Sequence, residues 1–178
     1  ISCTGAKESD INLQITLRLN DVFHLLGRET RLIRETDVSV YTSGNTIAAK
    51  KVSDLKHRVS IVNETADAVL VSIHQNTFPE SKYYGPQVFY NGKGSSETLA
   101  KKLQVSLNAS LFPQSKRQSK PGEGIYLLEK IDAPGILVEC GFLSNEREEA
   151  LLRDREYQKK LCCVIATGIL SLDPGRQS

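Results

Sequence analysis

Apolar residues recur along this chain with two different periods, and each change of period marks a new element. Ile11, Ile15, Leu19, Val22 and Leu26 stand three or four residues apart, the spacing of one helix face. Glu8-Ser-Asp-Ile-Asn opens that helix and Gly27 stops it. Thr30–Arg34 alternates polar and apolar residues and predicts a strand, with a polar turn region over Glu35–Asn45. Thr46–Glu64 is again helical, carrying Ile47, Val52, Leu55, Val59 and Val62. In Ala68–Asn76, Val69, Leu70, Val71 and Ile73 form the β-branched run of a strand buried on both faces.

The second half continues the alternation. Thr77–Gly85 predicts a loop, and Gln87–Tyr90 a strand closed by the turn pair Asn91-Gly92. A helix then starts at Ser95-Ser-Glu-Thr, with Leu99, Leu103, Leu107 and Leu111 on one face, and Pro113 ends it. Gln114–Gly124 reads as a polar, mobile loop, Ile125–Leu128 as a short strand and Gly135–Glu139 as a buried one. Glu146–Leu152 and Glu156–Leu172 predict two last helices, and Asp173–Ser178 a tail. Helices passing directly into strands are the units of an α/β fold.

Composition narrows the class without naming a function. The 178 residues suit one domain, and a net charge of +2 with scattered basic residues gives no case for nucleic acid. No apolar run approaches the roughly 20 residues that span a bilayer. The chain opens at Ile1 without a methionine, so an upstream segment is expected. Cys3, Cys140, Cys162 and Cys163 have neither zinc-finger nor disulfide-scaffold spacing. The adjacent pair Cys162 and Cys163 reads as core thiols on a helix.

Chemistry is concentrated at strand ends. His74 follows the Val69–Ile73 run, at the carboxyl end where ligands collect in open α/β sheets. Neutral imidazole is the commonest metal ligand there, against the alternative of a histidine hydrogen-bonded in a loop. Glu139 ends the apolar run Ile136, Leu137 and Val138. A carboxylate emerging from such a strand is desolvated, which raises its pKa and suits acid–base work. The competing role, capping the next helix, falls more naturally to Ser144 or Asn145. Glu8 stands at a helix start, where a carboxylate favours the helix dipole. His24 and His57 both lie on helices, away from strand ends. One imidazole and one carboxylate suit zinc, and a further carboxylate beside it could take a proton from water. No HExxH helix is present, which argues against a zincin.

Three stretches carry a resemblance: Glu8-Ser-Asp-Ile-Asn-Leu, Val71-Ser-Ile-His-Gln-Asn and Ile136-Leu-Val-Glu-Cys-Gly-Phe-Leu-Ser-Asn. In order and over nearly the whole chain, they resemble the later motifs of the zinc-dependent N-acetylmuramoyl-L-alanine amidases of the amidase-3 type. The overall likeness is to single-domain members that process spore-cortex peptidoglycan. The resemblance implies a mixed, mostly parallel twisted sheet of about six strands with helices on both faces, the first strand lying upstream of Ile1. It implies one catalytic domain over residues 1–178, Zn²⁺ as cofactor, Glu8 and His74 as zinc ligands and Glu139 as the catalytic carboxylate. Asn76 would be a substrate-side or outer zinc-site group. The reaction implied is cleavage of the amide between muramic acid and L-alanine.

The chain departs from the family in one respect. A further zinc-ligand histidine belongs to an Asp-Pro-Gly-His-Gly-Gly loop upstream of the glutamate, and this chain starts after it. Asp173-Pro-Gly-Arg has arginine in that place and lies at the wrong end. Two alternatives therefore stay open: a metal-poor, partner-dependent peptidoglycan-binding module, and a zinc peptidase on the same fold. The expected partners are peptidoglycan and, left open, an activator protein. The expected location is extracytoplasmic, secreted or anchored through the upstream segment, with the forespore–mother cell intermembrane space one candidate.

Overall fold

A computed structural model describes residues 2–171; Ile1, Leu172 and the expected tail Asp173–Ser178 lie outside the described residues. The elements run α1 (Glu8–Leu25), α2 (Ile47–Asn63), β1 (Leu70–Asn76), β2 (Gln87–Tyr90), α3 (Ser96–Leu111), β3 (Lys120–Pro121), α4 (Tyr126–Lys130), β4 (Gly135–Phe142), α5 (Glu146–Arg153) and α6 (Arg155–Leu170). The strands form one mixed sheet in the order β1-β4-β2-β3. β1 and β4 are parallel, β2 is antiparallel to β4, and β3 runs parallel to β2.

Helices cover both faces because each strand alternates its side chains. Ile73, Val88, Ile136, Val138 and Cys140 point to one face, where α1, α3 and α6 bury Ile11, Ile15, Leu19, Leu99, Leu103, Leu107, Leu161 and Ile165 against them. Leu70 and Leu137 point to the other, under Val62 of α2 and Leu127 and Leu128 of α4. Burying each such side chain contributes roughly 1.5–3 kcal/mol. The α1 stripe is Ile11, Ile15, Leu19 and Phe23. Val22 and Leu26 only flank it.

The sheet has four strands among the described residues, not about six. Thr30–Arg34 is irregular rather than a strand. Its polar groups go elsewhere: Arg34 donates to the Ser9 carbonyl at 2.6 Å and Arg31 to the Thr65 hydroxyl at 2.9 Å. Ile125–Leu128 falls at the start of α4, not in a strand. A four-residue apolar run does not distinguish strand from buried helix, and here Leu127 and Leu128 pack beside Ile131 as one helical turn does. Gln114–Gly124 is not merely solvated, since β3 lies within it and pairs with Phe89 and Tyr90. Cys162 is buried as expected, but Cys163 is exposed, because neighbours on a helix cannot share one face.

Candidate active site

β1 and β4 are adjacent and parallel, with His74 directly opposite Glu139 in their register. Partners in adjacent strands lie about 4.8 Å apart and send their side chains to the same face. The ladder shifts register between His74 and Asn76, where β1 leaves the sheet. A carboxyl end shared by two parallel strands is a place for a site. α1 packs across β1, and its first residue, Glu8, reaches that end.

Glu8 Oε1 lies 3.0 Å from His74 Nδ1. It also accepts from Asn12 Nδ2 at 3.0 Å and from the Gln75 backbone N–H at 3.3 Å. Lys7 at the N-cap makes no side-chain cap bond, and the Glu8 carboxylate turns to β1. Burial opposes its ionisation, but the bonds from His74, Asn12 and Gln75 outweigh burial and lower the carboxyl to about 2. Glu139 has the opposite environment. Burial pushes its carboxyl up to about 7; the His74 charge lowers it and the Glu8 charge adds to the rise. Its Oε2 is buried with no hydrogen-bond partner among the described residues. Two carboxyls on one rim thus have separated proton affinities, the division of labour found at acid–base sites.

The pair Glu8 and His74 fits a zinc ion. Two ligands at about 2.0–2.1 Å from one tetrahedral zinc stand about 3.3 Å apart, near the 3.0 Å observed. The proton between them is what a cation displaces on binding. Among the described residues, no group of three or more His, Cys, Asp or Glu side chains gathers as a metal cluster. The Glu8–His74 pair offers two donors, one fewer than the three protein ligands usual in catalytic zinc sites.

Of the other residues singled out in the sequence, Asn76 ends β1, and its carbonyl accepts from Leu143 N–H at 2.8 Å. His24 lies elsewhere, its Nε2 3.0 Å from the Thr30 hydroxyl. Asn145 is the N-cap of α5, accepting from Glu148 N–H at 3.1 Å. That leaves Glu139 free of the capping role.

The N-acetylmuramoyl-L-alanine amidase family pattern matches residues 1–171. The chain belongs to this family. The germination-specific N-acetylmuramoyl-L-alanine amidase of Bacillus subtilis (strain 168) is 36% identical over 165 residues, covering 92% of this chain and 69% of that protein. The CwlD amidase from Clostridioides difficile, solved in complex with the GerS lipoprotein, superposes with a TM-score of 0.89 and 41% identity, over 94% of this chain and 86% of that one. AmiC2 of Nostoc punctiforme superposes with a TM-score of 0.79 and 26% identity, over 96% and 86%. The chain is accordingly an amidase, a hydrolase of the carbon–nitrogen bond.

Four further residues support the candidate site and do not stand out in the sequence: Asn12, Gln75, Glu148 and Arg117. Asn12 is one helical turn after Glu8, and that spacing was the available signal. Gln75 is 4% exposed, and its Nε2 donates to Asn12 Oδ1 at 3.1 Å. Glu148 accepts from Gly85 N–H and from Phe142 N–H, each at 2.9 Å, and so ties the end of β4 to the loop before β2. Arg117 lies over the Phe142 ring at 5.0 Å and donates to the Tyr84 carbonyl at 3.0 Å. Nothing in the local sequence announces either of these two.

Proposed function

We propose that Glu8 and His74 hold a zinc ion, that Glu139 is the catalytic carboxylate, and that residues 1–178 act as one catalytic domain. The reaction is hydrolysis of the amide between N-acetylmuramic acid and L-alanine in spore-cortex peptidoglycan. The observation carrying this reading is the buried Glu139 oxygen beside the Glu8–His74 pair, without a hydrogen-bond partner among the described residues. Zinc, when bound by Glu8 and His74, would supply the Lewis acidity that polarises an amide carbonyl and lowers the pKa of water to about 7. Glu139, poised to gain or lose a proton near neutrality, takes the proton of the attacking water and delivers it to the departing L-alanine amine. Glu8, kept ionised, holds negative charge at the site. Asn76, at the end of β1, is assigned to the substrate side.

The spore-cortex assignment is supported by the germination-specific Bacillus relative. That substrate places the enzyme outside the cytoplasm, and among the described residues no helix is long and apolar enough to cross a membrane. A lipoprotein partner is supported by the Clostridioides neighbour, solved bound to one. In the test, purified muropeptides are incubated with the zinc-loaded protein and the products identified by mass spectrometry. Stem peptides beginning with free L-alanine, together with free lactyl-muramic acid, are expected. Cleavage inside the stem peptide instead would assign a peptidase and refute the amide reading.

A further inference from the structure

Glu8 does not reach β1 unaided. Its Oε1 collects His74 Nδ1, Asn12 Nδ2 and the Gln75 backbone N–H within 3.3 Å. The Gln75 side chain in turn donates through Nε2 to Asn12 Oδ1 at 3.1 Å. This second bond settles which way the Asn12 amide faces. Its oxygen is engaged by Gln75, so its NH2 must point at the Glu8 carboxylate, and a flipped amide would set oxygen against oxygen. Asn12 and Glu8 are four residues apart on α1 and so neighbours on its surface. Gln75 follows His74 on β1, with its side chain on the opposite face of the strand. The ring Glu8–Asn12–Gln75 therefore joins the helix to the strand with two hydrogen bonds beyond the Glu8–His74 contact.

We infer that Asn12 and Gln75 are positioning residues that fix the Glu8 carboxylate for the metal, an inference that rests on the reading of Glu8 as a ligand. With the His74 contact given over to the ion, the Asn12 amide and the Gln75 N–H still converge on one oxygen and stop the carboxylate from rotating, so the ligand is preorganised rather than ordered when the ion arrives. The Gln75 backbone N–H would still hold Glu8 after loss of the Asn12 amide, but one bond permits rotation that two do not. Gln75 acts through Asn12, so removing its side chain has the smaller effect.

The test measures zinc affinity of the full-length protein by competition with a chromophoric chelator, for the parent, Asn12→Leu, Gln75→Leu and Glu8→Ala. Far-ultraviolet circular dichroism and thermal unfolding of each metal-free variant report folding separately. Asn12→Leu is expected to weaken zinc binding by about 10–100-fold, the range for loss of an outer partner of a metal ligand. Gln75→Leu should weaken it less and Glu8→Ala more, all with the metal-free fold retained. If Asn12→Leu does not fold, Asn12→Ser, too short to reach Glu8, carries the same expectation. An Asn12 variant that folds and binds zinc within about threefold of the parent, while Glu8→Ala loses it, overturns this inference and leaves Glu8 a ligand. Unchanged affinity in Glu8→Ala overturns the ligand assignment, and this inference with it.

Discussion

Replacing Glu148 is the most direct way to loosen the site without touching it. Glu148 is 4% exposed, and its two oxygens each serve one backbone donor, Gly85 N–H and Phe142 N–H, both at 2.9 Å. Glu148→Gln keeps the shape but replaces one acceptor with an NH2 facing an N–H. A buried donor left unsatisfied costs about 1–3 kcal/mol, and Glu148→Leu, which strands both, about 2–6 kcal/mol. For a domain of this size, each kcal/mol lowers Tm by roughly 2–4 °C.

The Glu148 deficit also depends on pH. Burial raises the Glu148 carboxyl, against the bonds from Gly85 and Phe142 and the charge of Arg117, which lower it. The folded chain thus keeps this proton at pH values where the unfolded chain, with a carboxyl near about 4.3, has released it. Stability from this source is complete below the unfolded value and is lost as pH rises through the folded one. Glu148→Gln cannot titrate, so its deficit against the parent should narrow from pH 5 to pH 8. Urea unfolding of the metal-free protein at several pH values measures both effects. Variants within about 0.5 kcal/mol of the parent, the range of ordinary surface changes, would refute the role given to these two hydrogen bonds. A deficit that widens with pH would refute the burial argument.

Three further outcomes are expected. Glu139→Gln should lower kcat by about 10²–10⁴-fold, the contribution of a positioned acid–base group, while zinc content measured by mass spectrometry stays at the parent level. Chelation should abolish muropeptide hydrolysis and added zinc restore it, followed by chromatographic assay of products. Asn145→Ala removes the α5 cap and the bond from Asn145 Nδ2 to the Ser81 carbonyl at 2.7 Å; it should cost about 1 kcal/mol for the cap and speed proteolytic nicking near Ser81, read by limited digestion.

Much of the site was legible because its residues sit where pattern changes. His74 and Glu139 each close an apolar run, and Glu8 opens an amphipathic helix, so all three stood out one residue at a time. The two misread strands show the limit. Thr30–Arg34 alternates as a strand does, but a strand is completed by a neighbour, and here the polar side chains bond to Ser9 and Thr65 instead. Ile125–Leu128 has the composition of a short strand, but Ile125 is the extended N-cap of α4 and Leu127 and Leu128 are helical, packed with Leu70 and Leu137. Gln75 and Glu148 were illegible for a related reason: both are buried polar residues, each with a partner 63 residues away, Asn12 and Gly85 respectively, and a single chain carries no record of such pairs. Asn12 is the intermediate case, four residues from a suspected ligand and readable once Glu8 is suspected.

Crystals grown with zinc and measured at the zinc absorption edge bear most directly on the three-residue site. One anomalous peak is expected within bonding distance of a Glu8 oxygen and a His74 nitrogen, with the Glu139 carboxylate beside it. A peak on other side chains, or an ion bound with Glu8 and His74 turned away, would contradict that placement.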